Sequence, residues 1–182
     1  MKNNIALVGF MATGKTTVGK ALAERLGLAF IDSDEVIEKR HKKSIAEIFA
    51  DNGEEFFRSQ ETLILQELCS NGAKVIATGG GAVLRRENID NLLSGAHVIR
   101  LTASPQVILE RTDVDASRPL LQSADRLGKI KELMQHREQY YAQAEHTINT
   151  DEWDIKRILG EIEIFLHKNG WQWPDESGAK DE

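Results

Sequence analysis

At 182 residues and 41% hydrophobic content, the chain is long enough for one domain with its own core. Its 23 basic and 29 acidic residues leave a net charge of -6, which argues against a nucleic-acid binder, a class that usually carries a basic excess or stripe. The single cysteine, Cys69, excludes an internal disulfide and argues against a cysteine-built metal site; within the apolar, helix-like stretch Thr62–Cys69 it reads as a small buried hydrophobe. No apolar run approaches bilayer length and Ile5–Val8 is too short for a signal peptide, so no membrane is expected and the expected compartment is the cytoplasm.

Short β-like runs alternate with longer helical ones, the pattern of an α/β fold with a parallel sheet. The first strand, Ile5–Val8, runs into Gly9-Phe10-Met11-Ala12-Thr13-Gly14-Lys15-Thr16, which fits G-x-x-x-x-G-K-[ST]. Helix Lys15–Leu26 follows at once, so the loop has the strand before it and the helix after it that phosphate binding requires. Its glycines let the backbone wrap phosphate oxygens, its amides form an anion nest, and the helix N-terminus adds partial positive charge. Lys15 is expected to reach the β- and γ-phosphates of ATP and the Thr16 hydroxyl to ligate Mg²⁺.

Gly27 stops the first helix, and a second strand, Ala29–Ile31, delivers Asp32-Ser33-Asp34 to its carboxyl end, where ligands bind in open α/β sheets. Residues two apart in extended chain face the same way, so Asp32 is assigned to the metal and Asp34 to the group that accepts phosphate. A helical pattern spans Asp34–His41, and the alternative is a pair of N-cap carboxylates opening that helix at Glu35. Helix Glu54–Ser70 carries Arg58, with Glu61 one turn on to hold its guanidinium. A third strand, Lys74–Ala77, ends in Thr78-Gly79-Gly80-Gly81-Ala82, which is either a flexible turn or backbone cleared for a ligand.

Helix Arg86–Leu93, strand His97–Leu101 and helix Pro105–Arg111 come next, the last with Ser104 as its cap and Pro105 in its first turn. The stretch 112–125, centred on Arg118-Pro119-Leu120-Leu121, reads as a mobile surface loop or, in a kinase, as a lid that excludes water and brings Arg118 onto the phosphates. Helix Arg126–Ala144 carries Arg137, and strand His146–Asn149 and helix Glu152–Lys168 close the domain. Arg58 and Arg137 are each either solvated surface charges or the planar donors that suit a carboxylate. Residues 1–168 are read as one domain and 169–182 as a largely disordered tail, in which Trp171 and Trp173 fold back or meet a partner.

Taken in order from Gly9 to Tyr141, six segments resemble the shikimate kinase family: Gly9–Thr17, Asp32-Ser33-Asp34, Phe57-Arg58-x-x-Glu61, Gly79-Gly80-Gly81-Ala82, Arg118-Pro119-Leu120-Leu121 and Arg137-x-x-x-Tyr141. Ser44–Phe49 is similar to the segment that opens that family's substrate-binding region, placed here at about residues 33–61. The resemblance implies a three-layer P-loop kinase fold: a five-stranded parallel sheet in order 2-3-1-4-5, helices on both faces, substrate-binding helices and a lid. It implies transfer of phosphate from Mg-ATP to the 3-hydroxyl of shikimate. A monomer with no nucleic-acid partner is expected.

Carried over by residue, the resemblance gives Asp34, Arg58, Gly80 and Arg137 contact with shikimate, Gly79 and Gly81 the shaping of its pocket, and Glu61 a supporting place. Asp34 is then the base, and Arg58 and Arg137 the carboxylate ligands. Ala12, Thr13, Gly14, Lys15, Thr16 and Thr17 would hold the nucleotide, Thr16 and Asp32 the metal, Arg118 the phosphates from the lid, and Arg111 the adenine side. Two departures stand out. Ala12-Thr13 occupies the loop interior where Gly and Ser are more usual, and Asn149-Thr150-Asp151-Glu152-Trp153-Asp154 lacks the proline of the family's adenine loop. The competing expectations are a gluconate kinase or other small-metabolite kinase of the same fold, and an ATP-binding regulatory module.

Overall fold

The computed structural model describes residues 2–112, 125–152 and 154–171. The elements run β1 (Asn4–Val8), α1 (Lys15–Leu26), β2 (Ala29–Asp32), α2 (Ser33–His41), α3 (Ile45–Ser70), β3 (Lys74–Ala77), a 3₁₀ turn (Ala82–Leu84), α4 (Arg86–Gly95), β4 (Ala96–Thr102), α5 (Pro105–Thr112), α6 (Arg126–Tyr141), β5 (His146–Asn149) and α7 (Ile155–Lys168). The strands form one parallel sheet in the order β2-β3-β1-β4-β5, as the resemblance implied.

The alternation of side chains along β1 builds the layers. Ile5 and Leu7 point to one face and pack with Val18, Leu22 and Leu26 of α1 and Ile158, Ile162 and Leu166 of α7. Ala6 and Val8 point to the other and pack with Leu65 of α3, Ile89 and Leu92 of α4, Ile108 of α5 and Ile130 of α6. Because both faces are covered, β1 and β4 are buried almost throughout. Each fully buried Leu or Ile contributes roughly 1.5–3 kcal/mol, so this double layer holds the strand ends at which the loops gather. Ile37, Ile48, Phe57 and Ile64 make a smaller cluster that joins α2 to α3.

Three element boundaries differ from the sequence reading by three residues or more. The helix expected from Glu54 begins at Ile45, because Ser44 and Glu47 form a reciprocal capping box. The chain then breaks at Gly53 (φ 81, ψ 171), a conformation essentially confined to glycine, and resumes the helix to Ser70. The last helix starts at Ile155 rather than Glu152, where Asp154 caps the amides of Lys156 and Arg157. The helix from Arg126 ends at Tyr141 rather than Ala144, and the amide of Ala144 turns back to the Tyr141 carbonyl.

Trp171 folds back on the domain. It is 7% exposed, its backbone amide donates to the Leu166 carbonyl, and its ring meets His97 edge-on at 5.8 Å. Trp173 lies outside the described residues. Cys69 is half-buried at the end of α3, and burial pushes its thiol up to about 11, so it packs rather than reacts.

Candidate active site

The loop between β1 and α1 is built by backbone geometry. Gly9 has φ 148, and a Cβ there would stand 2.2 Å from the Leu101 carbonyl oxygen, so only glycine fits. Ala12 (φ 59) and Gly14 (φ 93) complete the turn. Gly14 is the N-cap of α1 without a side-chain cap bond, and the first turn holds no acidic residue. The head of this helix is thus set for an anion. Lys15 lies across the loop, its Nζ donating to the carbonyls of Gly9 and Phe10 at 2.9 Å each.

Thr13 is turned inward. It is fully buried and its hydroxyl donates to the Phe10 carbonyl at 2.8 Å. The side chain thus braces the loop from within.

Asp32 caps α2 and also meets the first turn of α1. As N-cap of α2 its Oδ1 accepts from the Asp34 amide at 3.0 Å, while its Oδ2 accepts from the Thr16 hydroxyl at 3.1 Å. A hydroxyl and a carboxylate therefore meet at the foot of the phosphate loop. Asp34 does not cap. Its Oδ1 is buried and has no hydrogen-bond partner among the described residues. Burial raises its pKa to about 6, Asp32 adds to the rise, and Lys15 and Arg58 oppose it.

The turn after β3 gathers the remaining side chains, each glycine marking one of them. A Cβ on Gly79 would stand 2.6 Å from Asp34 Oδ1 and 3.1 Å from Glu61 Oε1. A Cβ on Gly81 would stand 2.5 Å from Arg58 Nη2. The Gly80 carbonyl accepts from Tyr141 Oη at 2.5 Å and from Arg137 Nη1 at 3.4 Å. On its other flank Gly80 abuts the phosphate loop: a Cβ there would lie 3.4 Å from the Met11 amide nitrogen. The buried Ser33 hydroxyl accepts from the Gly79 amide at 3.2 Å and pins the turn to α2. So Asp34, Arg58 and Arg137, contributed by three helices, converge on one turn beside one loop.

Arg58 and Glu61 are paired at 2.9 Å, one turn apart on α3. Glu61 is fully buried, and burial raises its pKa to about 7 against the pull of Arg58. Exposed Glu54 also touches the Arg58 guanidinium, at 3.3 Å. Arg137 lies over the Phe10 ring, 5.7 Å from its centroid. Arg58 and Arg137 are thus partly buried and bonded to neighbouring groups, not freely solvated charges.

Arg111, expected at the adenine side, ties two loops together: it donates to the Ala12 carbonyl (3.3 Å), the Thr150 hydroxyl (3.1 Å) and the Thr150 carbonyl (2.5 Å). Thr150 is fully buried, its hydroxyl 3.1 Å from the Thr13 carbonyl. The loop after β5 is held without a proline by Asp151, which accepts from the Ser104 amide at 2.6 Å. Arg118 and the centre of the expected lid lie outside the described residues. Ser33, Tyr141 and Thr150 were not assigned from sequence; the only signal was the position of Tyr141 four residues after Arg137.

Among the described residues no helix is long and apolar enough to cross a membrane. The family model for shikimate kinase matches residues 11–166. A shikimate kinase of Pelotomaculum thermopropionicum is 43% identical over 168 residues, covering 92% of this chain and 98% of its own length. Among solved structures, a shikimate kinase from Acinetobacter baumannii in complex with shikimate superposes with a TM-score of 0.87 at 39% identity, covering 94% of this chain and 97% of that one. A shikimate kinase from Aquifex aeolicus gives 0.80 at 34% identity, covering 91% and 97%.

Proposed function

This chain belongs to the shikimate kinase family, and from that premise we propose that it transfers the γ-phosphoryl group of ATP to the 3-hydroxyl of shikimate. The products are shikimate 3-phosphate and ADP, and the step serves chorismate and aromatic amino-acid biosynthesis. The observation that carries the reading is the convergence of one carboxylate and two guanidinium groups on the Gly79–Gly81 turn beside the phosphate loop.

Each side chain then has a task that its geometry suits. Arg58, steadied by Glu61, and Arg137 take the substrate carboxylate, which planar guanidinium groups grip bidentately. The Gly79, Gly80 and Gly81 backbone lets the ring lie close. Asp34 orients the 3-hydroxyl and accepts its proton. As that oxygen bonds to the γ-phosphorus, the bond from phosphorus to the β–γ bridging oxygen breaks and ADP leaves. A carboxyl raised to about 6 suits this work, since a base is most effective with a pKa near the operating pH.

Lys15 exchanges the Gly9 and Phe10 carbonyls for β- and γ-phosphate oxygens. The backbone of Ala12 through Thr17 cradles the phosphates, and Arg111 stands where that cradle meets the loop after β5. Thr16 and Asp32 offer a hydroxyl and a carboxylate, the hard oxygen donors that Mg²⁺ takes together with substrate phosphates. Once bound there, Mg²⁺ would neutralise triphosphate charge. The proposed lid would add Arg118. We read the enzyme as a monomer acting in the cytoplasm, where ATP is supplied.

Release of ADP by the purified chain with Mg-ATP and either shikimate or gluconate tests this reading. Turnover is expected with shikimate. Turnover with gluconate alone, or with neither acceptor, refutes it.

A further inference from the structure

Tyr141 is the one member of the Arg137-x-x-x-Tyr141 pattern to which the proposed reaction gives no task. Four residues apart on α6, the two side chains share a face and reach the same acceptor, the Gly80 carbonyl oxygen. They do not share it equally. The Tyr141 hydroxyl stands at 2.5 Å and the Arg137 Nη1 at 3.4 Å, the latter well beyond the usual 2.9–3.0 Å of a good N–H···O bond.

The phenol is firmly held. Its ring is 2% exposed, with the Arg100 guanidinium 5.3 Å from its centroid. Arg100 is itself gripped by both oxygens of Glu138, at 2.7 and 2.6 Å. Burial pushes the phenol up to about 12 against the pull of Arg137 and Arg100, so it remains a donor throughout the working range of pH. Arg137, by contrast, is anchored by a weak bond to the Gly80 carbonyl, by the face of Phe10 and by its approach to the Tyr141 oxygen.

We infer that Tyr141 is a positioning residue: its hydroxyl satisfies the Gly80 carbonyl and so keeps the Arg137 guanidinium from closing onto that oxygen, leaving it presented to the substrate carboxylate. Without the hydroxyl, the part-buried carbonyl would lack its short partner. Arg137, already within reach at 3.4 Å, would supply the missing bond, because a part-buried acceptor that loses its partner favours the nearest charged donor. Each substrate binding event would then have to break that new bond. The inference rests on the proposed role of Arg137.

The test is a double-mutant cycle of Y141F and R137A, read as separate KM values for shikimate and ATP, kcat and thermal midpoint. Y141F should raise the shikimate KM roughly tenfold, about the worth of one charge-assisted hydrogen bond, with kcat and the ATP KM within about twofold. On an R137A background the same change should add nothing, since Tyr141 acts through Arg137. Equal effects of Y141F with and without Arg137 overturn the inference. So does an unchanged shikimate KM, a parallel loss in kcat and both KM values, or a Y141F chain that no longer folds. If R137A itself leaves the shikimate KM unchanged, the assignment of Arg137 is what fails.

Discussion

Asp34 has two opposed requirements placed on it by its surroundings. Burial and the nearby Asp32 favour its neutral form, while Lys15 and Arg58 favour its charge. The sign of the outcome is testable. Its pKa is about 6 in the fold against 3.8 ordinarily, so between those values the folded chain binds more protons than the unfolded one, and stability falls as pH rises through that window. Asp34→Asn removes this penalty. Its thermal midpoint should match the wild type near pH 4 and exceed it increasingly up to pH 7; a constant difference across that range would contradict the burial of this charge. In catalysis the same substitution should lower kcat by roughly 10²- to 10⁴-fold with ATP affinity kept, while wild-type kcat/KM should fall below about pH 6. Lost ATP affinity with intact turnover would remove Asp34 from the role of base. At this scale the sequence was legible where chemistry is carried by residue type and local spacing, as in Gly9–Thr16, Asp32–Asp34 and Gly79–Gly81. Thr13 and Tyr141 were not, because hydroxyl direction is fixed by the folded loop in one case and by a partner 61 positions away in the other.

Within the elements, α3 shows how a local rule can be present and still be overlooked. Ser44 and Glu47 stand at capping-box spacing, yet the helix was read only from Glu54, so its first half was not expected. Gly53 instead redirects one helix, letting Ile48 and Phe57, on either side of the break, share the cluster with Ile37 and Ile64. A Cβ at Gly53 would meet nothing within 4 Å, so Gly53→Ala reports backbone strain alone. It should cost about 1–3 kcal/mol in denaturant unfolding. An unchanged midpoint would mean that the bend does not depend on glycine. The strands were readable to within a residue because buried parallel strands form short apolar runs. Their order was not: such runs look alike, and 2-3-1-4-5 came from the resemblance and not from any pattern in the strands.

Across the whole molecule, net negative charge and an anion-binding site coexist because the sheet gathers its cations locally. Lys15, Arg58, Arg111 and Arg137 lie around the carboxyl ends of the strands, and Arg25, Arg40 and Arg86 are spent on exposed ion pairs elsewhere. The opposite end of the sheet depends on the chain's last described residue. Trp171 completes the layer of α1 and α7, a contact the sequence left open because a tryptophan in a polar segment serves a core or a partner equally well. Trp171→Ala should cost on the order of 3 kcal/mol or more in stability while leaving the shikimate and ATP KM values near wild type. Loss of less than about 1 kcal/mol would show that the ring contributes little to the core.

The most direct measurement of the central claim is an experimental structure of the chain with shikimate and ADP. The account predicts the shikimate carboxylate between Arg58 and Arg137, its 3-hydroxyl against Asp34, and the ADP phosphates on the Gly9–Thr16 loop within the same cleft. Shikimate seated away from the Gly79–Gly81 turn, or with its carboxylate turned from both arginines, would contradict it.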